Sequence, residues 1–159
     1  MTDQAESADE LFEDAPCGFL ATQPDGTILR SNRTLARWLG QPPEQIVGRR
    51  FADLLSPASR IYHETHYAPL LHMQDVVRDV ALDLVRADGT RLPVLVSATL
   101  RRDAAHAPEA VRVAVFDATE RRGYERELLD ASRRERERRE RAELMERTLA
   151  AFGDAETRS

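Results

Sequence analysis

The chain has 159 residues, of which 42% are hydrophobic and 32% are charged, and its formal net charge is −5. This length and apolar content suit one core-forming domain with an appended segment, and the negative charge excludes an overall basic field for nucleic acid. Because Cys17 is the only cysteine, no internal disulfide can form, and a reducing compartment such as the cytoplasm is expected.

The N-terminus is acidic and polar, without the apolar core of a signal peptide. No apolar run approaches the length that spans a membrane, so no membrane contact is expected. All the basic residues are arginine, a bias that is typical of a GC-rich bacterial genome.

The first forty residues predict a tail, a hairpin and a short helix. Residues 1–8 lack periodicity, which indicates a disordered tail. Residues 17–30 contain two strand-like runs around a Pro-Asp-Gly turn, in which proline presets φ and glycine takes positive φ. Either Ser31 or Asn32 then caps a helix that Gly40 ends.

The middle of the chain predicts two short helical turns and one longer helix. Pro43 stands at the start of the first turn, and Phe51 lies on the apolar face of the second. The longer helix is expected to run from Pro57 to about Met73. Pro69 must end or kink it, because proline lacks an N–H and its ring clashes with the preceding turn.

Three strand-like runs follow, at about residues 76–86, 92–100 and 111–116, and an Asp-Gly turn joins the first two. Their meander order predicts antiparallel pairing. Leu95 and Phe116 lie on the face opposite the core. We therefore expect that face to be covered, either by the N-terminal helix or by a second subunit.

From Thr119 the sequence changes to a heptad repeat, which is typical of a coiled coil. Arginines and acidic residues alternate along it in nearly equal numbers, so it does not resemble a phosphate-binding surface. Glu135 and Arg138 occupy the two central seam positions and should weaken the pairing locally, which favours one register or a switchable helix. The seam residues that we assign to homodimerisation are Tyr124, Leu128, Ala131, Ala142, Met145, Leu149 and Phe152.

The order and spacing of these elements resemble the PAS domain family over about residues 9–121. The residues that carry the resemblance are Asp25-Gly26, Ile28, Asn32, Leu35, Leu39-Gly40, Glu44, Gly48, Asp53-Leu54-Leu55, Asp88-Gly89-Thr90 and Asp117-Ala118-Thr119-Glu120-Arg121. The resemblance implies an α+β fold: a five-stranded antiparallel sheet, flanking short helices around a small cavity, and a long C-terminal helix. It implies a sensor domain at residues 9–118, a signalling helix at 119–153 and a frayed tail at 154–159.

The resemblance also implies a function in signal transduction. A ligand or partner would change the packing of the sensor domain, and Asp117, Thr119 and Arg121 would pass that change into the coiled coil. The implied partners are a second copy of the chain and a regulatory output protein. Alternatively, an output domain is missing, and the chain is a fragment of a PAS-linked kinase, cyclase or phosphatase.

Members of this family bind haem, flavin, small organic acids or nothing, and no cofactor is our first expectation here. The candidate ligand-binding residues are Asn32, Trp38, Phe51, Tyr62, His63, His66 and Arg78. The alternative function is a haem-based gas or redox sensor, in which His63 or His66 would supply the axial ligand; His63 is our choice. The alternative to ligand binding is a structural role: the histidines would lie on a partly exposed helix face, and Asn32 would cap the following helix.

Other chemistry lacks its sequence signals. The segment 48–54 has no cysteine of the kind that flavin photoreceptors of this family use. The histidines at 63 and 66 do not have the spacing of a zinc-binding His-Glu-x-x-His helix, and there is no phosphate-binding loop or nucleophile elbow. We therefore do not expect an enzyme.

Overall fold

A computed structural model describes residues 6–158 of the chain. The predicted tail at residues 1–8 lies mostly outside the described residues, and the first helix begins at Ala8. The last helix continues beyond the predicted end at residue 153, to Glu156. The chain divides into two units between Thr119 and Glu120.

The N-terminal unit is built on a five-stranded antiparallel sheet, which confirms the predicted fold class. The sheet has the order β2-β1-β5-β4-β3, so the N-terminal hairpin joins the later meander through pairing of β1 with β5. The strands are β1 (Gly18–Thr22), β2 (Ile28–Ser31), β3 (Val76–Val85), β4 (Arg91–Arg102) and β5 (Pro108–Asp117).

Helices follow the local signals in the sequence. Asn32 caps α2, and Gly40 ends it with a φ of 68°, a left-handed conformation that glycine adopts without steric cost. A 3-10 turn covers Phe51–Leu54. The α-helices are α1 (Ala8–Glu13), α2 (Arg33–Leu39), α3 (Pro43–Ile46), α4 (Pro57–Tyr62), α5 (Ala68–Gln74) and α6 (Thr119–Glu156).

The longer helix predicted from Pro57 is interrupted by a widened, π-helical turn over His63–Tyr67. There the N–H of Ala68 donates to the carbonyl of His63, five residues earlier. Pro69 follows immediately and accounts for the widening, since its ring would clash with the carbonyl four residues before it. The predicted kink is therefore a change of helical pitch rather than an end of the helix.

The core lies between the helices and the inner face of the sheet. Its fully buried side chains come from both, and they include Ile28, Leu35, Leu39, Ile46, Leu54, Leu84, Val96 and Val115. On the outer face, Phe12 of α1 stacks on Phe19 of β1 with ring centroids 6.0 Å apart. Phe116 remains 46% exposed, so the N-terminal helix covers only part of that face.

The C-terminal unit consists of α6. The predicted seam residues are all exposed on this helix, and Tyr124, Leu128, Met145, Leu149 and Phe152 are 67–71% exposed. Charges pair along its surface, for example Glu135 with Arg139 at 3.4 Å. Among the described residues, no helix combines the length and the apolar character needed to cross a bilayer.

Candidate functional site

A small cavity lies between α5, the π-helical turn, the β1–β2 turn and β5. Its volume is about 60 Å³. A water needs roughly 10–15 Å³ of such volume, so the cavity has room for a few waters or for one small molecule. Its lining residues are Thr22, Pro24, Asp25, Gly26, Phe51, His63, Tyr67, Ala68, Leu71, His72, Val111 and Val113.

Three aromatic rings form one wall of the cavity. The rings of His63 and Tyr67 stack with centroids 4.6 Å apart, and Phe51 lies 5.6 Å from the first and 6.2 Å from the second. The buried Nδ1 of His63 and the buried hydroxyl of Tyr67 have no hydrogen-bond partner among residues 6–158. Buried polar atoms are normally paired, so these two side chains beside the cavity retain unused hydrogen-bonding capacity.

Burial makes this wall electrically neutral. It lowers the pKa of His63, against the weaker opposing effect of Glu64, and it raises the pKa of Tyr67. Both shifts arise because removing a charged group from water is costly. No arginine lines the cavity, and the one carboxylate, Asp25, is exposed. The cavity therefore suits a small neutral molecule that forms hydrogen bonds better than it suits an anion.

The structure brings two of the predicted ligand-binding residues, Phe51 and His63, to the cavity. The other five lie elsewhere. Tyr62 and His66 stack on each other at 4.8 Å on the exposed side of the helix. Residues 62 and 66 share one helical face while 63 and 67 share another, so these two cannot face the cavity together with His63.

Trp38 and Arg78 are also away from the cavity. Trp38 is partly buried against the core, and its carbonyl accepts a hydrogen bond from Arg86 at 3.2 Å. Arg78 is exposed on β3, where the sheet has an irregularity between Val77 and Val80.

The sequence analysis missed Tyr67, which is only 3% exposed. Its spacing of four residues from His63 was the available signal, because residues at that spacing share a helical face. It also missed Val111 and Val113 of β5, whose place at the cavity depends on the folded sheet.

Asn32 has a structural position. Its side-chain oxygen accepts hydrogen bonds from the N–H groups of Phe19 (3.0 Å) and Leu35 (3.1 Å). Its amide donates to the carbonyls of Phe12 (3.0 Å) and Cys17 (2.9 Å). The residue is completely buried, and these four bonds use its hydrogen-bonding capacity. Its side chain therefore connects α1, β1 and α2 and has no hydrogen-bonding group left for a ligand.

The cavity does not fit haem. Pockets that bury drug-sized ligands measure roughly 300–1,000 Å³, and this one measures about 60 Å³. His63, the predicted axial ligand, packs against the rings of Phe51 and Tyr67, and its Nδ1 is buried. Among the described residues, no group of three or more His, Cys, Asp or Glu side chains is placed to hold a metal ion.

The predicted relay residues lie where β5 meets α6. The Asp117 carboxylate accepts hydrogen bonds from the N–H (2.9 Å) and the hydroxyl (2.6 Å) of Thr119. The N–H of Ala118 donates to the carbonyl of Pro93 on β4 at 2.9 Å. Arg121 makes a contact within α6, to Glu125 at 3.4 Å. The end of β5 is thus tied both to the sheet and to the first residue of α6.

The half-buried His63 predicts a pH effect on stability. Because its pKa is below the ordinary value of 6.5, the folded protein binds fewer protons than the unfolded chain as the pH falls through that value. The free energy of unfolding therefore has its full value, as far as His63 is concerned, above about pH 6.5, and it decreases as the pH falls below that value. We expect His63→Gln to lose less stability than the unmodified protein between about pH 7.5 and about pH 5.5, as measured by urea unfolding.

The matched control is His66→Gln, which removes an exposed imidazole from the same helix. Its pH profile is expected to follow that of the unmodified chain. If the profile of His63→Gln also followed it, the assignment of the pH effect to His63 would be incorrect.

Comparison with known proteins gives consistent matches. The model of the family described as PAS domain matches residues 16–120. The chain is 34% identical over 128 residues to phosphoserine phosphatase RsbP of Bacillus subtilis (strain 168), and the match covers 77% of this chain and 30% of that protein. The chain thus spans less than a third of the length of this relative.

Solved structures show the same fold at low identity. A PAS domain from Colwellia psychrerythraea superposes with a TM-score of 0.65 at 14% identity, covering 70% of this chain and 93% of that chain. The PAS domain of an HTR-like protein from Haloarcula marismortui gives a TM-score of 0.56 at 18% identity, covering 69% and 87%.

Proposed function

The chain belongs to the PAS domain family, and we propose on this basis that it is a signal-transduction sensor. In this proposal, occupancy of the cavity changes the packing of β5, and β5 passes the change through Asp117 and Thr119 into α6. Two copies of α6 pair along the exposed seam, and the change at β5 alters how these two helices pack against each other.

One observation carries the proposal: the same strand lines the cavity and leads into the long helix. Val111 and Val113 of β5 contact the cavity, and Asp117 ends the strand with its two bonds to Thr119. A strand is stiff along its length, and the ladders to β1 and β4 hold this one on both sides. A shift at the cavity end therefore has a short covalent path to α6.

We propose that the ligand is a small, neutral molecule with hydrogen-bonding groups. The unpartnered hydroxyl of Tyr67 and the unpartnered Nδ1 of His63 support this class. A bound molecule that pairs with both would recover bonds that the ligand-free cavity lacks. Contact with a partner protein remains the other route by which the same strand could be displaced.

The output is proposed to lie outside the sensor domain. No catalytic constellation is evident in the described residues, so we propose that this chain is not itself an enzyme. The resemblance to phosphoserine phosphatase RsbP favours a phosphatase output, either as a separate partner or as a further domain of a longer protein. A cytoplasmic location is supported by the single free cysteine, Cys17.

Hydrogen–deuterium exchange tests the relay. Ala68→Leu adds bulk to the cavity wall and mimics occupancy, so we expect it to change amide exchange in β5 and in the first turns of α6. Adding Asp117→Ala removes the two bonds to Thr119 and should confine the change to β5. If Ala68→Leu altered the exchange of β5 and never that of α6, with or without Asp117→Ala, the relay would be refuted.

The hydroxyl of Tyr67 predicts an unusual mutational result. Because it has no partner among the described residues, Tyr67→Phe should change the free energy of unfolding of the ligand-free protein by less than about 1 kcal/mol, or increase it. Chemical unfolding measures this, with Tyr62→Phe on the exposed face as the control. A loss of about 2 kcal/mol or more would mean that the hydroxyl is bonded in the purified protein.

A further inference from the structure

Between Arg126 and Arg147, the sequence of α6 is largely symmetric about the midpoint between Arg136 and Glu137. Residues at equal distances from this midpoint are identical or chemically alike over most of the central helix. The matching pairs are Arg126 with Arg147, Glu127 with Glu146, Leu128 with Met145, Leu129 with Leu144, Asp130 with Glu143, Ala131 with Ala142, and Arg134 with Arg139. The other four pairs in this range differ, and one of them is the central seam pair, in which Glu135 and Arg138 have opposite charges.

We propose that the seam of α6 binds a second copy of this chain in the antiparallel orientation, with the two-fold axis at this midpoint. The inference rests on the proposed function in one respect, that α6 is the dimerising element. It adds the orientation and the register, which the heptad pattern alone leaves open.

In the antiparallel register, the apolar side chains that face each other in the central seam layers are similar in size. It places Leu128 opposite the partner's Met145, and Ala131 opposite the partner's Ala142. Large apolar side chains thus meet large ones and small meet small, which is what close packing along a seam requires. All of these residues are exposed on the single helix and are therefore free to pair.

The charged layers decide the orientation. In the antiparallel register Glu135 lies opposite the partner's Arg138, and the symmetry repeats this ion pair once more. In a parallel, in-register pair, Glu135 lies opposite the partner's Glu135, and Arg138 opposite the partner's Arg138. Like charges that face each other across the seam between two helices are destabilising, whereas opposite charges specify the pairing.

The flanking positions do not reverse this choice. Antiparallel pairing places Arg134 near the partner's Arg141, and Glu125 near the partner's Glu146. Parallel pairing places Arg134 near the partner's Arg139. It also places Arg141 near the partner's Glu146, an opposite-charge contact that the symmetry repeats once. These contacts lie at the solvent-exposed rim, where salt screens them and each contributes little.

The orientation has a consequence for signalling. It brings Phe152 of one copy opposite the partner's Arg121, close to the residues where β5 enters α6. An arginine over an aromatic ring is an attractive contact. A change at one copy's junction would therefore reach the C-terminal end of the other copy's helix.

Cysteine cross-linking of the full chain tests the orientation. Starting from Cys17→Ala, two variants are made, Ala131→Cys and Ala142→Cys, because cysteine is close to alanine in size and leaves the seam intact. Ultracentrifugation first establishes whether each variant is dimeric. Each is then oxidised alone and, after unfolding and refolding together, as an equal mixture.

We expect a disulfide-linked dimer in the mixture and little in either variant alone. In the antiparallel register the two cysteines face each other, whereas two copies of the same cysteine lie about 16 Å apart along the axis, too far for a disulfide. Cross-linking of each variant with itself, or a dimer that cross-links in no combination, would overturn the antiparallel register while leaving the dimer. A monomer would also overturn the dimerising role of α6.

Charge reversal gives a second measurement. Glu135→Arg places two arginines in each central layer of the antiparallel pair and should raise the dissociation constant about tenfold or more. Combining it with Arg138→Glu restores opposite charges and should recover the original affinity. Failure of the double variant to recover would count against the register.

Discussion

Replacing Asn32 by alanine is expected to lower the free energy of unfolding by about 3–5 kcal/mol. The four hydrogen bonds of its side chain satisfy backbone groups of Phe12, Cys17, Phe19 and Leu35, and the residue is completely buried. Alanine removes the cap of α2 and leaves buried N–H and carbonyl groups without partners, each of which costs about 1–3 kcal/mol. Chemical unfolding, followed by circular dichroism, measures the loss.

A matched control separates the buried network from simple helix capping. Ser7 caps α1 through a capping box, but it is exposed and makes no bonds across the core. Ser7→Ala should therefore cost only about 1 kcal/mol or less. If the two alanine variants lost similar stability, Asn32 would act as an ordinary cap and not as the connection between α1, β1 and α2.

Removal of α6 should convert the protein from a dimer to a monomer. A chain that ends at Thr119 keeps the bonds between Asp117 and Thr119 but loses every seam residue. Because the exposed apolar side chains of α6 are the proposed interface, we expect monomers by analytical ultracentrifugation at concentrations where the full chain is dimeric. The sensor domain should keep its fold, since its core includes no residue of α6.

A pair of point variants tests the same interface in the full chain. Leu128 and Leu129 are neighbours with almost equal exposure, 71% and 70%, but only Leu128 lies on the seam. Leu128→Glu should raise the dissociation constant about tenfold or more, because it places a charge in the seam, whereas Leu129→Glu should have little effect.

A truncated chain that remained a tight dimer would place the main interface on the sensor domain, with the exposed outer face around Phe116 as its candidate.

The cavity changes the expectation about ligands more than any other finding. The sequence places two histidines on one helix, and either could serve as the axial ligand of a haem. In the structure one histidine is packed between two aromatic rings, and the other lies on the exposed side of the helix. What remains is a small cavity with a neutral aromatic wall, beside which two buried polar atoms have no partner among the described residues, and we propose that it takes a compact hydrogen-bonding molecule.

The sequence by itself determined the features that depend on neighbouring residues. The Pro-Asp-Gly turn, the cap at Asn32, the left-handed Gly40 and the heptads of α6 each follow from conformational preferences within a few positions. The alternating strands and their order were sufficient to predict the antiparallel sheet. The near-palindrome on which the proposed antiparallel pairing of α6 rests is likewise a property of the sequence.

Only the tertiary structure decided which residues form the cavity. Its walls come from four segments that are far apart in the chain: the β1–β2 turn, the 3-10 turn, the helix around His63 and β5. Their meeting depends on long-range packing, which no local pattern encodes. The widened turn before Pro69 contains both His63 and Tyr67, and one buried polar atom of each has no partner among the described residues.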